Sequence, residues 1–467
     1  MLYYLFFIAL FFSSTICRCG EIIYPWRSTT AIVQSGHAFE VWFNADAGQK
    51  VYSAKLRGPY NIVDATINSI SEQEWIYDQW SGNTCNRKFT VSVPADAPAD
   101  RYDLVLYTST GEEISLKSVK VIREYKSSYY IFHISDGHRW EKYPSRDSMV
   151  SLREQSAVIE MANIIDPEII FETGDNMWGN QQSMDQRKSR AATYFSGGKL
   201  DTEVVKGLND AYAAVFICPG NHDSFRNNYS LEPDIAGVAK DWNELYGLQS
   251  HCFEYGSARF IGINNSWCPT TGGGEPGYIP NYKWQIDEAI DWINSVGPGN
   301  FRVSYQHVPQ ESLPPIYYRF KEAGVPLDMM IAGHIHRSST NPYSIDGKSI
   351  IYCVEILGTA VKKSPFNLYK VDATAGTYTP IPDQYAASQG LVAEMDYSTI
   401  KLRLSYSKPN DGSNTDNVGT IVNDFTYAIT SARIRFVVPK GNSYLVTGGT
   451  IEQEFDGTDY HIVDVSY

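Results

Sequence analysis

Five short polar segments constrain this chain more than anything else in it. They are Asp136-Gly137-His138, Gly174-Asp175-Asn176, Gly220-Asn221-His222-Asp223, Gln306-His307 and Gly333-His334-Ile335-His336. Each closes an apolar run of strand character: Tyr129 to Ile134, Ile169 to Thr173, Ala214 to Cys218, Phe301 to Gln306, and Leu327 to Ala332. Apolar runs without alternation belong to strands covered on both faces. Layered α/β folds present their functional residues at the carboxyl ends of such strands. Five of the nine His in the chain fall in these segments, which a random scatter would not produce.

The residue types define a chemistry. Asp supplies hard oxygen, His supplies borderline nitrogen and Asn supplies a neutral carbonyl oxygen, with no thiolate among them. That mixture suits Mn, Fe, Zn or Ni rather than a Cys-rich structural zinc site. A lone Asp after a strand is usually a cap, and a lone His is usually a hydrogen-bonded core residue. Together and in this order they point to a metal centre. The set is large enough for two ions that share one carboxylate, with positions left for water and substrate. Two ions about 4 Å apart can hold a phosphoryl oxygen and a bridging hydroxide. His222 stands beside a ligand without being needed in either shell, so it is placed to assist a leaving oxygen. Asp223 would fix its tautomer or cap the helix that follows.

In these segments the sequence resembles the calcineurin-like metallophosphoesterase superfamily, whose pattern is DxH, GD, GNH followed by an acid, a lone His, and GHxH. Every element is present in order, and the resemblance covers about Ser127 to Lys370. It implies an α/β core of two mixed sheets in a sandwich flanked by helices. By the same resemblance Asp136, His138, Asp175 and His336 bind one ion, and Asp175, Asn221, His307 and His334 bind the second, with Asp175 bridging. His222 faces the scissile phosphate and Asp223 orients it. Purple acid phosphatases share much of this pattern but lack the DxH histidine and carry a Tyr ligand after the GD motif. Here His138 is present and Trp178 stands where that Tyr would be.

The rest of the chain frames this core. Its 467 residues suit two or three domains. Leu2 to Phe12 is an apolar run too short to span a bilayer, and small residues precede Gly20, so residues 1–20 read as a signal peptide. Alternating runs such as Phe39 to Phe43 and Lys88 to Val93 predict an N-terminal immunoglobulin-like β-domain over 21–126. The core spans 127–371. A C-terminal β-domain, 372–467, is expected from runs such as Ala432 to Val438. Lys126 to Tyr129 carries no Gly or Pro linker, so the N-terminal domain should pack on the core, whereas the chain after Val371 should be separable. Helices are predicted over Ser148 to Ile165, with Ser151 and Glu154 as a capping box, and over Asn281 to Ser295.

A net charge of −14 argues against a nucleic-acid-binding surface. Of the five Cys beyond the signal, Cys252 and Cys268 are the best candidate bridge, and Cys218 and Cys353 read as buried thiols. Arg139, Lys142, Arg146 and Arg226 could meet a second phosphate. Trp178 and Trp267 could stack on a base or sugar. The Gly- and Pro-rich stretch from Asn265 to Pro280 is long enough to cover a site. Asn228-Tyr229-Ser230 and Asn264-Asn265-Ser266 are glycosylation sequons. The reading that emerges is a secreted, two-metal hydrolase of phosphate esters, monoester or diester, in which a bridging hydroxide attacks phosphorus. Its substrate would be a small molecule or an exposed phosphate ester. Rival readings are a nucleotidase or pyrophosphatase, and a surface binding protein whose core is a relic.

Overall fold

The computed structural model describes residues 20–140, 148–177, 183–200, 203–227, 230–231, 235–267, 282–309, 315–335, 343–345, 348–353, 366–381, 401–425 and 427–467. At its centre two sheets face each other. The first has the strand order Ala214–Ile217, Ile169–Glu172, Ser128–Ile134, Asn367–Asp372, Thr377–Pro380; its first three strands are parallel and its last two antiparallel. The second runs His251–Tyr255, Ala258–Gly262, Phe301–Tyr305, Met329–Ala332, Lys348–Cys353, Tyr343–Ile345, parallel from Ala258–Gly262 to Lys348–Cys353.

Side chains alternate across each strand, which explains the unbroken apolar runs. From the strand Ser128–Ile134, Tyr129 and Ile131 point between the sheets, where they join Phe171, Phe216, Phe260, Val303 and Ile331. Tyr130, Phe132 and Ile134 point outward, beneath helices Ser148–Ile165, Met184–Ser196 and Ile235–Tyr246. The second sheet is covered on its outer face by helices Lys283–Val296 and Pro315–Glu322. Each fully buried Leu, Ile or Phe of this kind contributes about 1.5–3 kcal/mol from its removal from water. The predicted helical face Val158, Met161, Ala162 and Ile165 is buried in that outer core. The proposed capping box is not at the helix start: the helix already includes Ser148, so Ser151 lies one turn inside it.

Before the core, eight strands form a continuous sheet in the order Glu21–Tyr24, Ala38–Asn44, Arg87–Ser92, Ile62–Ser71, Val51–Arg57, Arg101–Thr108, Gly111–Ile122, Ala31–Gln34. The strand Ile62–Ser71 pairs on both sides and joins the two halves, which enclose Val41, Phe43, Leu56, Phe89, Val91 and Leu104. This unit is fastened to the core sheet. Thr29 bridges Phe216 on its edge strand, Thr30 Oγ1 donates to the Val215 carbonyl at 3.1 Å, and the Ile217 N–H donates to Ser28 at 3.0 Å. The buried Arg101 donates to the Leu208 carbonyl at 2.7 Å.

The chain after Val371 departs from expectation. The strand Thr377–Pro380 continues the first core sheet, and Leu402, Phe425 and Ala432 are buried in the outer core with helix Ser148–Ile165. A hairpin, Leu402–Tyr406 with Gly419–Asn423, and a three-stranded sheet, Arg433–Pro439, Tyr460–Ser466 and Thr450–Asp456, follow. The buried Arg435 reaches Asp100 at 2.8 Å and Asp464 at 2.8 Å. The segment is therefore built into the core it was expected to leave. Sequence alternation reports a sheet face but not which neighbour covers it. No helix among the described residues is long and apolar enough to cross a membrane.

Candidate metal centre

The polar segments meet where the strands of both core sheets end. Asp136 follows Ser128–Ile134, Asp175 follows Ile169–Glu172, Asn221 and His222 follow Ala214–Ile217, His307 follows Phe301–Tyr305, and His334 follows Met329–Ala332. Each chain must turn sharply as it leaves its strand. Asp136, His138, Asp175 and His334 accordingly adopt positive φ angles of 55°, 38°, 52° and 70°. Such conformations are strained for residues with a Cβ and persist where surroundings enforce them, typically at functional sites. The glycines of the motifs permit the close approach. A Cβ on Gly174, itself at φ 93°, would meet His307 Nδ1 at 2.6 Å and the Gly220 backbone at 2.7 Å.

Asp175 lies at the centre. Its Oδ1 accepts from the His222 N–H at 2.8 Å. Its Oδ2 faces three imidazoles, with Nε2 of His307 at 3.2 Å, of His138 at 3.5 Å and of His222 at 3.7 Å. Two potential ion-holding groups result, His138–Asp175–His222 and Asp175–His307–His334, each with its donor atoms within 4.8 Å of one another, and Asp175 belongs to both. Asn221 Oδ1 lies 3.0 Å from His307 Nε2 and 3.1 Å from His334 Nδ1. Asp136, fully buried, accepts from the His334 N–H at 2.9 Å, and its Oδ1 lies 3.8 Å from His138 Nε2.

The electrostatics fit a cation. Asp175 Oδ2 is buried and receives no well-aligned hydrogen bond among the described residues. Leaving a carboxylate oxygen so placed is costly unless a positive charge meets it. Burial alone would raise the Asp175 carboxyl, but the rings of His307, His222 and His138 outweigh it and hold it well below the usual range. His307 donates through Nδ1 to the Thr173 carbonyl at 2.7 Å, which turns Nε2 toward Asp175 and Asn221. Metal-binding imidazoles are commonly held this way. The donor set among the described residues is carboxylate, amide oxygen and imidazole, which suits divalent metal ions.

Other predicted residues fall elsewhere. The Asp223 carboxylate is held by backbone and amide donors. It accepts from the N–H groups of Gly220 at 2.8 Å, Asn176 at 3.1 Å and Met177 at 3.1 Å, and from Asn176 Nδ2 at 3.0 Å. It ties the Asp175 and Asn221 loops together. Burial, followed by the Asp175 charge, raises its pKa to about 7 despite those N–H donors. Arg139 is not available to a phosphate. It is fully buried, pairs with Glu172 at 2.7 Å and lies over the Tyr194 ring at 4.6 Å. Removing one partner of such a pair typically costs about 3–5 kcal/mol.

Trp267 is 1% exposed and packs among tryptophans rather than facing a ligand. The sequon at Asn264 is buried, so it is closed to glycosylation in the folded chain. Cys218 is buried, as expected. His336, Lys142, Arg146, Trp178, the Asn228 sequon, Cys268 and the stretch 268–281 lie outside the described residues, as do the side chains of Arg226 and Cys353. Residues that sequence reasoning missed are Thr173, Asn176 and the Asn264–Trp267 segment. The run of small amides after a buried strand was the available signal.

Residues 129–338, the central part of the chain, match the calcineurin-like phosphoesterase family, the one its motifs resemble. Among solved structures, a dimetal phosphatase from Danio rerio is similar over 52% of this chain and 92% of its own, at 12% identity and a TM-score of 0.31. GAP50, the anchor in the inner membrane complex of Plasmodium, is similar over 52% of this chain and 81% of its own, also at 12% identity and a TM-score of 0.31. No curated protein matches the chain in sequence.

Proposed function

We propose that this protein is a secreted, metal-dependent hydrolase of phosphate esters with a dinuclear centre. The observation that carries the reading is the buried Asp175 carboxylate, whose Oδ2 lacks a well-aligned hydrogen bond among the described residues yet lies against three imidazoles at the ends of the core strands. Asp136, His138, Asp175 and His336 would hold one ion, and Asp175, Asn221, His307 and His334 the other. When bound, two such ions would supply charge neutralisation for phosphoryl oxygens and activate a water nucleophile near neutral pH.

The chain's own residues do the rest. Thr173 and Asp223 fix the His307 ring and the loops around it. His222, with about a fifth of its side chain open to solvent, has its Nε2 3.7 Å from Asp175 Oδ2. There its ring can donate a proton to the departing alkoxide. The strand-rich segments are read as an N-terminal immunoglobulin-like sandwich over 21–126 and a C-terminal β-domain over 372–467, around a core over 127–371. The apolar run Leu2 to Phe12 supports export.

The test uses the purified full chain, stripped with chelator and reloaded with Mn, Zn or Fe. It is offered p-nitrophenyl phosphate, bis(p-nitrophenyl) phosphate, nucleoside phosphates and pyrophosphate. Metal-dependent hydrolysis of at least one ester is expected, and the preferred substrate separates a phosphodiesterase from a phosphomonoesterase or nucleotidase. Tight metal binding without turnover of any of them would favour a binding protein with a relic core.

A further inference from the structure

We infer that a hairpin of the N-terminal unit, acting through the buried segment Asn264–Trp267, positions the loops that carry Asn221, His222 and His307. The inference rests on the metallophosphoesterase reading and deepens it by naming residues outside the motifs. The hairpin is formed by Trp75–Asp78 and Asn83–Cys85. At its turn Asp78 is a buried carboxylate, 1% exposed. It accepts from Asn243 Nδ2 at 2.7 Å, Ser81 Oγ at 2.6 Å, the Trp80 N–H at 3.0 Å, and Gln249 Nε2.

Two routes run from this turn to the candidate ligands. The first is polar. Gln249 Oε1 accepts from Asn264 Nδ2 at 2.9 Å, Asn264 Oδ1 accepts from the Ser266 N–H at 3.2 Å, and Ser266 Oγ donates to the Pro219 carbonyl at 3.0 Å. The second is aromatic. Trp80 packs on Trp267 with ring centroids 5.8 Å apart, and the Trp267 indole N–H donates to the Gly220 carbonyl at 3.1 Å. Pro219 and Gly220 immediately precede Asn221 and His222.

The same short segment also holds the His307 loop. Asn265 Nδ2 donates to the Val308 carbonyl at 2.8 Å, and the Val308 N–H donates back to Asn265 Oδ1 at 3.1 Å. Such reciprocal amide pairs fix a loop in two directions at once. Asn221 and His307 belong to one ion's proposed ligand set, and the segment reaches the loops of both through Pro219, Gly220 and Val308. Ligand and catalytic groups need placement to about 0.5 Å, and removal of outer supporting hydrogen bonds typically lowers metal affinity or activity about 10–100-fold.

The experiment compares the full chain with Trp267→Phe, Trp80→Ala and Trp80→Phe. Trp267→Phe keeps a ring and loses the N–H; Trp80→Phe keeps a ring on Trp267. Val91→Ala, buried in the N-terminal core and not part of the hairpin or its two routes, serves as a variant that loses stability alone. Each is titrated with Mn²⁺ calorimetrically, melted, and assayed for kcat and KM on bis(p-nitrophenyl) phosphate.

Trp267→Phe and Trp80→Ala are expected to weaken one of two Mn²⁺ sites about tenfold or more. They should lower kcat with little change in KM, and Trp80→Phe should restore most of the loss. Val91→Ala should melt lower with both sites intact. Unchanged Mn²⁺ affinities in Trp267→Phe and Trp80→Ala, or an equal loss in Val91→Ala, would overturn the inference. A wild type that binds Mn²⁺ but cleaves no ester counts against the phosphoesterase reading alone, because the titration still decides the positioning.

Discussion

Nε2 of His307 lies 3.2 Å from Oδ2 of Asp175, and among the described residues no well-aligned hydrogen bond satisfies that oxygen. The two residues come from different sheets, His307 from the end of Phe301–Tyr305 and Asp175 from the end of Ile169–Glu172. Their meeting is therefore a product of the sandwich rather than of either strand. With His138 3.5 Å from the same oxygen, Asp175 belongs to both candidate ion groups.

The first prediction follows from that shared membership. Asp175→Asn keeps the size of the side chain and removes its charge, so both ions lose their shared anionic ligand. Metal analysis of the variant is expected to show neither site filled at concentrations that saturate the wild type. Two ions per chain with normal turnover would refute the bridging assignment.

Metal uptake should also depend on pH in a defined direction. Burial disfavours the His307 cation, but the carboxylates of Asp175 and Asp136 and the Thr173 carbonyl outweigh it and hold its pKa at about 9. In the metal-free protein this ring is protonated at neutral pH, whereas an ion needs its lone pair. Binding must therefore expel a proton. Affinity is expected to rise by up to about tenfold per pH unit from pH 7 to about 9 and then level off. Mn²⁺ titrations across this range, with proton release followed in weak buffer, would expose the idea as wrong if affinity were flat.

How much of this was legible beforehand depends on the range of each interaction. The strands of the core and the residues at their ends were readable, because burial on both faces leaves an unbroken apolar run and the polar residue that ends it stands out. The ionic and amide contacts between distant segments were not. Arg139 sits next to His138 in sequence and looked like a phosphate ligand, yet its partner is Glu172, brought to it by the parallel pairing of Ser128–Ile134 with Ile169–Glu172. Asp223 adjoins His222, yet its carboxylate turns to the backbone of Asn176 and Met177. Adjacency in the chain says little about the direction of a side chain on a tight turn. The role of Trp267 depended on a hairpin almost 190 residues earlier, which no local pattern reveals.

His222 is more open than Asp175, His138 or His307, which are nearly or fully buried. His334, a proposed ligand, is half-buried as well, so the role of His222 toward substrate rests on the proposed ligand sets, which are complete without it. His222→Ala is expected to retain two ions and to lose about 10²–10⁴-fold in kcat, the usual contribution of a general acid. The loss should be largest for esters of poor leaving groups, such as alkyl phosphates, and smallest for p-nitrophenyl esters. Loss of one ion from the variant would make His222 a ligand instead. Equal loss across all leaving groups would point to positioning.

The chain after Val371 provides the last test, and the structure reverses the expectation drawn from sequence. Cutting there removes Asp372 and the whole strand Thr377–Pro380 from the first core sheet, so Asn367–Val371 becomes a truncated edge. It also strips Leu402, 1% exposed, and Phe425 and Ala432 from the surface of helix Ser148–Ile165. Asp100 loses the guanidinium of Arg435, and Asp166 that of Arg433. Tyr130, whose hydroxyl lies 2.6 Å from Thr430 Oγ1, loses that partner too. Together these losses are comparable with the usual total stability of a domain, about 5–15 kcal/mol. The truncated protein is expected to be insoluble or to lack a cooperative melt. The milder variant Leu402→Ala, made in the full chain, should remain folded and lose about 2–5 kcal/mol. Denaturant unfolding of both decides the matter. A truncated chain that melts like the wild type, or a Leu402→Ala variant of unchanged stability, would show that the C-terminal strands do not support the core.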